Sequence, residues 1–173
     1  MDIEAALAEC EATTRQHDPD RYHAALFADE ERRAMLFALY AFNYEIARVA
    51  ETVHEPMLGE IRLQWWRETM QAARDMHPRA HNVAHALVEL FARTGLPPEE
   101  FEAMIDARGF DISDDTFPDL VSLERYADAT SGGVMRQAAR ILNEDSEPGL
   151  AAREAGIAYG LAGILRTIPY HAA

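Results

Sequence analysis

From Ala34 to Glu51 the chain reads AMLFALYAFNYEIARVAE, and the apolar residues Met35, Leu39, Phe42, Ile46, Val49 and Val53 recur at alternating steps of four and three. At about 3.6 residues per turn those positions share one stripe, so the pattern predicts a long amphipathic helix with that stripe in the core. Asp29 is placed to cap it, and Pro56 disfavours helical geometry at Glu55, which predicts an end near His54. Beside the stripe runs a second line, Tyr40, Asn43, Tyr44, Ala47 and Glu51. Its mixture of aromatic, amide, small and acidic side chains is the one expected where a helix borders a pocket or a partner.

The same periodicity continues on both sides. A first helix from Asp2 to about Gln16 turns Ile3, Leu7 and Cys10 inward and stops at His17-Asp18-Pro19, and a short helix from Asp20 is anchored by Tyr22 and Leu26. Met57 to Met76 sets Leu58, Ile61, Trp65, Thr69 and Ala72 on one face, with Trp65 and Trp66 pointing to different sides. Ala80 to Arg93 follows, with Val83, Leu87 and Leu90 inward and Gly95 as its stop. Glu99 to Arg108, entered through Pro98, buries Phe101, Met104 and Ile105. Ser122 caps a helix that Ser131-Gly132-Gly133 interrupts before it resumes through Leu142. The last helix spans Leu150 to Thr167, where Pro169 ends or bends it. Gly109 to Pro118 and Asn143 to Gly149 read as loops. With no alternating β-branched run, no repeat and no linker, the expectation is one all-α helical bundle over residues 1–173, its successive helices mostly antiparallel.

Charge narrows the functions open to such a bundle. With 30 acidic and 16 basic residues the net charge is −14, which argues against a phosphate-backbone binder. The longest apolar runs, Ala34 to Phe42 and Gly156 to Leu165, fall short of the roughly 18 to 20 residues that span a bilayer. The start, MDIEAALAEC, is acidic where a presequence is basic, and the single cysteine fits a reducing compartment. A cytoplasmic protein is expected, with room for peripheral contact at the inner membrane.

Three clusters carry candidate chemistry. His81 and His85, four apart, could share a metal, but no acidic or Cys ligand lies within the same turn, and two surface histidines are the plainer reading. Asp111, Asp114 and Asp115 could collect a hard cation but lack EF-hand spacing, so a solvated acidic turn is expected. Gly156, Gly160 and Gly163 line one side of the last helix. Since glycine costs about 1 kcal/mol relative to alanine in a helix interior, the line implies close approach of another helix or of a ligand.

Four segments, FALYAFNYEIARVAE, MLGEIRLQWWRETM, YADATSGGVM and GLAGILRTIPYH, resemble in order and spacing the squalene/phytoene synthase family of head-to-head prenyl transferases. The likeness is strongest to the branch containing the respiratory complex I assembly factor. It implies the helical isoprenoid synthase bundle. Catalytic members hold Mg²⁺ on two aspartate-rich motifs that face each other, because ionising a prenyl diphosphate leaves a strongly negative group to neutralise. At the positions of the first motif this chain has Ala47 and Glu51, with Arg48 between them. At the second, Arg166 is followed by Thr167, then Tyr170 and His171, and no Asp or Glu occurs after Glu154.

The resemblance therefore implies a member without catalytic residues, metal or cofactor, whose pocket serves binding or the assembly of a respiratory complex. Tyr40, Asn43, Tyr44, Ala47, Glu51, Arg166, Thr167, Tyr170 and His171 would line the pocket, with apolar walls from Gly132, Val134, Gly160 and Gly163. The alternative is a Mg²⁺-dependent prenyl transferase acting on farnesyl or geranylgeranyl diphosphate, with acids such as Glu51 as substitute ligands. A third is a plain helical interaction module. Family members continue past the point matching Ala173, so either an open apolar groove is expected, covered by a protein partner, by a second copy or by a prenyl or other apolar ligand, or the resemblance in fold is only partial.

Overall fold

The computed structural model describes residues 2–53, 55–113, 115–143 and 149–171, with side chains described as far as Arg166. Among the described residues there are ten α-helices and no strand. They are α1 (Ile3–His17), α2 (Pro19–Ala25), α3 (Glu30–Ala47), α4 (Val49–Thr52), α5 (Pro56–Arg74), α6 (Asn82–Thr94), α7 (Pro98–Ala107), α8 (Leu120–Ala127), α9 (Gly133–Leu142) and α10 (Leu150–His171). A 3₁₀ stretch, Arg108–Ile112, follows α7, and a π-helical turn, Asp128–Gly132, joins α8 to α9. The all-α expectation holds.

Local chemistry fixes the ends. The carboxylates of Asp2, Asp18, Asp29 and Asp119 accept the backbone N–H of Glu4, Arg21, Arg32 and Ser122, each satisfying one orphan donor of a first turn. Prolines open α2, α5 and α7, where the missing N–H costs nothing. Gly95 closes α6 at φ 61°, a left-handed conformation that glycine adopts without strain. At α8 the cap is Asp119 rather than Ser122, which stands at the third helical position and donates its N–H to that cap.

The bundle is built round α3. Every side chain from Met35 to Phe42 is buried, so the middle of this helix is covered on all sides instead of along one stripe, with α1, α6 and α9 packed against it. α5 and α7, packed on each other, complete the core against α3: Trp66 stands edge-on to Phe42 at 5.8 Å, and Phe101 lies 5.5 Å from Phe42. The tryptophan pair is thereby resolved, with Trp66 fully buried and Trp65 half-buried.

Several details depart from the periodicity. α3 ends at Ala47, seven residues early, because Arg48 leaves the helix and its carbonyl accepts the N–H of both Glu51 and Thr52 in a separate turn, α4. Val53 is extended, and His54 lies outside the described residues. α5 is rotated from expectation: Gly59, Leu63, Trp66, Thr69, Met70 and Ala73 are buried, while Leu58 and Ile61 are 49% and 60% exposed. Two stripes of this helix have helical spacing, and the one with Trp66, Leu63 and Met70 wins by buried area. Gly59 helps it, since a Cβ there would lie 2.8 Å from Ile112 Cγ2. Leu26 is exposed; Ala25 takes the inward position at the end of α2. Ser131-Gly132-Gly133 does not interrupt the helix but continues it through the π turn. α10 runs to His171, past Thr167, since a proline so near the end removes little of the hydrogen-bond ladder.

Candidate functional site

One face of α3 looks toward α2 and α10, and cations and aromatic rings meet there. The Arg21 guanidinium sits 5.6 Å from the Tyr40 ring centroid on α3 and 4.6 Å from that of Tyr159 on α10, so one side chain bridges both helices. Such contacts contribute about 0.5–2 kcal/mol each, more as water is excluded. The capping chemistry of α2 sets its position: Asp18 accepts the Arg21 backbone N–H and pairs with its guanidinium at 2.8 Å. Burial raises the Tyr40 hydroxyl to about 12, against the opposing pull of the Arg21 charge.

One turn along α3, the Tyr44 ring stacks on His17 at 4.1 Å, nearly parallel, and Arg48 lies 5.2 Å from the same ring. Arg48 also faces Glu45 at 3.6 Å. Asn43 and Ala47 are half-buried beside these residues, and Glu51 is exposed. His17, Arg21 and Tyr159 are members of this cluster that the sequence reading did not identify. The Asp-Pro-x-Arg order at residues 18–21, an N-cap with proline at the first helical position, was the one available pointer to where Arg21 would be held.

The other expected residues are placed differently from one another. A Cβ on Gly160 would sit 3.0 Å from Ser131 Cβ and Oγ, and one on Gly132 would sit 2.7 Å from Asp128 Oδ1. Both glycines belong to the seam where α10 packs on the π turn. Gly163 has open space around it. Val134 is buried in the core that surrounds α3, and Arg166 is exposed on α10. The side chains of Thr167, Tyr170 and His171 lie outside the described residues.

The other two clusters depart from their plain readings in part, at His81 and Asp111, while Asp115 is exposed. His81 is half-buried between Trp65 and Trp66 and accepts the Val83 N–H at Nδ1, capping α6. Burial holds its pKa below the ordinary histidine value. Asp111 is likewise engaged, with Arg108 at 3.0 Å and the Tyr126 hydroxyl at 2.6 Å, while Asp114 lies outside the described residues. Among the described residues no three His, Cys, Asp or Glu side chains come together as a metal site.

This arrangement of helices is shared with the crystal structure of a dehydrosqualene synthase in complex with ligand: the TM-score is 0.84 at 19% identity, over 95% of this chain and 57% of that one, a likeness of fold. Residues 14–173 match the squalene/phytoene synthase family, and the chain belongs to it. The human NADH dehydrogenase (ubiquinone) complex I, assembly factor 6, is 31% identical over 163 residues, which is 94% of this chain and 49% of that protein. The bovine protein of the same name matches to the same extent. The presqualene diphosphate synthase of Rhodopseudomonas palustris is 28% identical over 149 residues, 85% of this chain and 53% of that enzyme. The chain thus spans about half the length of the curated relatives it matches.

Proposed function

We propose that this protein is a non-catalytic member of its family that assists assembly of a respiratory NADH dehydrogenase complex, through the face of α3 that looks toward α2 and α10. The observation that carries the reading is what occupies that face. Where catalytic relatives need carboxylates to hold Mg²⁺, this chain has Ala47, which offers no ligand atom, an exposed Glu51, and Arg21 and Arg48 set against Tyr40, Tyr159 and Tyr44. On α10 no carboxylate follows Glu154. Such a donor set repels metal cations rather than gathering them, and the residues present do not fit the family's magnesium cluster.

The assembly role is supported by the likeness to the assembly factors over nearly the whole of this chain. Action at a membrane complex calls for peripheral contact, since among the described residues no helix is long and apolar enough to cross a bilayer. The competing reading, prenyl transfer, draws on the presqualene diphosphate synthase relative. Removing the gene from its host and resolving the respiratory complexes on a native gel tests the proposal. The expected outcome is loss of assembled NADH dehydrogenase complex, restored by the wild-type gene and also by an Arg166→Ala version. An undiminished complex in the deletion strain would overturn the assembly role.

A further inference from the structure

A cavity of about 670 Å³ opens between the α3–α4 junction, α5 and the start of α6. It opens on the α5 and α6 side of α3, away from Tyr40, and it shares Arg48 and Glu45 with the cluster described above. One wall is apolar, made by Val49, Val53, Leu58, Ile61 and Trp65. The polar side chains facing it include Arg48, Arg62, Glu45 and His81.

Three features of this cavity bear on what it could hold. First, its charge runs against that of the chain: two arginines and one glutamate line it, although the whole sequence carries −14. Second, Arg62 is exposed at the cavity and makes no hydrogen bond or ion pair with any described residue, whereas Arg67 and Arg79 farther along hold Asp106 and Glu68. Third, Leu58 and Ile61 remain 49% and 60% exposed because α5 is rotated to bury its other stripe. The size lies within the roughly 300–1,000 Å³ of small-molecule sites, which join an apolar lining to a few polar groups that fix orientation.

We propose that this cavity binds a single-chain amphiphile with an anionic head, the carboxylate or phosphate resting on Arg62 and Arg48 and the alkyl chain lying along Val53, Leu58, Ile61 and Trp65. A cationic head is excluded by the two arginines, and a wholly polar ligand would leave the apolar wall unused. Glu45 does not cancel the site, since it is directed to Arg48 at 3.6 Å and leaves Arg62 uncompensated. Burial lowers the His81 pKa, with the Glu45 charge pulling the other way and the Arg62 charge adding to the lowering, so a further positive charge is disfavoured there.

The chain's two tryptophans, one lining the cavity and the other in contact with it, supply the readout. Intrinsic fluorescence of the purified protein is titrated with dodecanoate, dodecyl phosphate and dodecyltrimethylammonium, all below their micelle concentrations, while far-ultraviolet circular dichroism follows helicity. Saturable change with one or both anionic probes at constant helicity is expected, and the stronger of the two identifies the head group. Arg62→Gln should weaken it about tenfold, the lower end of what a hydrogen bond to a charged group contributes. Leu58→Asp, at a half-exposed position that tolerates a polar side chain, should weaken it as well. Absence of a saturable response, an equal response to the cationic probe, or unchanged affinity in Arg62→Gln would overturn the proposal.

Discussion

Cys10 has no exposed surface, and burial, with the charges of Glu9 and Glu45, pushes its thiol up to about 12 from an ordinary value of 9.0. In the unfolded chain the thiol loses its proton near pH 9, while the folded protein keeps it until about pH 12. Across that window the native state binds more protons than the unfolded one, so stability is fully present below pH 9 and falls as pH rises toward 12. Tyr40, raised to about 12 from 10.0, adds to the fall from pH 10 upward. Urea unfolding at a series of alkaline pH values should show this decline, and Cys10→Ala should flatten its first part. The native thiol should also resist alkylation at pH 8 and react after unfolding, since the thiolate is the nucleophile.

At the scale of elements, α10 is held by its glycines, and their roles divide within about two turns. A Cβ on Gly156 would lie 2.6 Å from Gly132 Cα and 2.9 Å from the Ser131 carbonyl oxygen, backbone atoms that cannot step aside. Gly156→Ala should therefore lower stability by roughly 1–3 kcal/mol. Gly163, with nothing near its missing Cβ, should gain up to about 1 kcal/mol on substitution by alanine, from helix propensity alone. Chemical denaturation of the two variants checks both signs. Asp128 reinforces the seam by holding Arg136 and Arg153, which joins the π turn to α9 and α10.

These elements also show where reading the sequence stops. Spacing and caps located most helices, because the stripes of α6 and α7 and the Asp29 cap are properties of contiguous residues. The orientation of α5 was not legible, since two stripes satisfy the same period and only the neighbours decide between them. In the cluster near α3, Tyr40 and Tyr44 were visible as a mixed face. Arg21, His17 and Tyr159 were not, because each comes from a different helix and only packing brings them together. The glycine line was half legible: close approach explains Gly156 and Gly160, but not Gly163.

At the scale of the whole molecule, family membership and fold coexist with a face whose chemistry runs against the family's catalytic need. The bundle is kept, yet the charge that links α3 to α10 here is the Arg21 guanidinium, set on the Tyr40 and Tyr159 rings. Charge decides between binding and catalysis at this face, and incubation of the purified protein with Mg²⁺ and radiolabelled farnesyl or geranylgeranyl diphosphate measures the outcome. The diphosphate should be recovered unchanged. Accumulation of presqualene diphosphate or another head-to-head product, dependent on Mg²⁺, would contradict it.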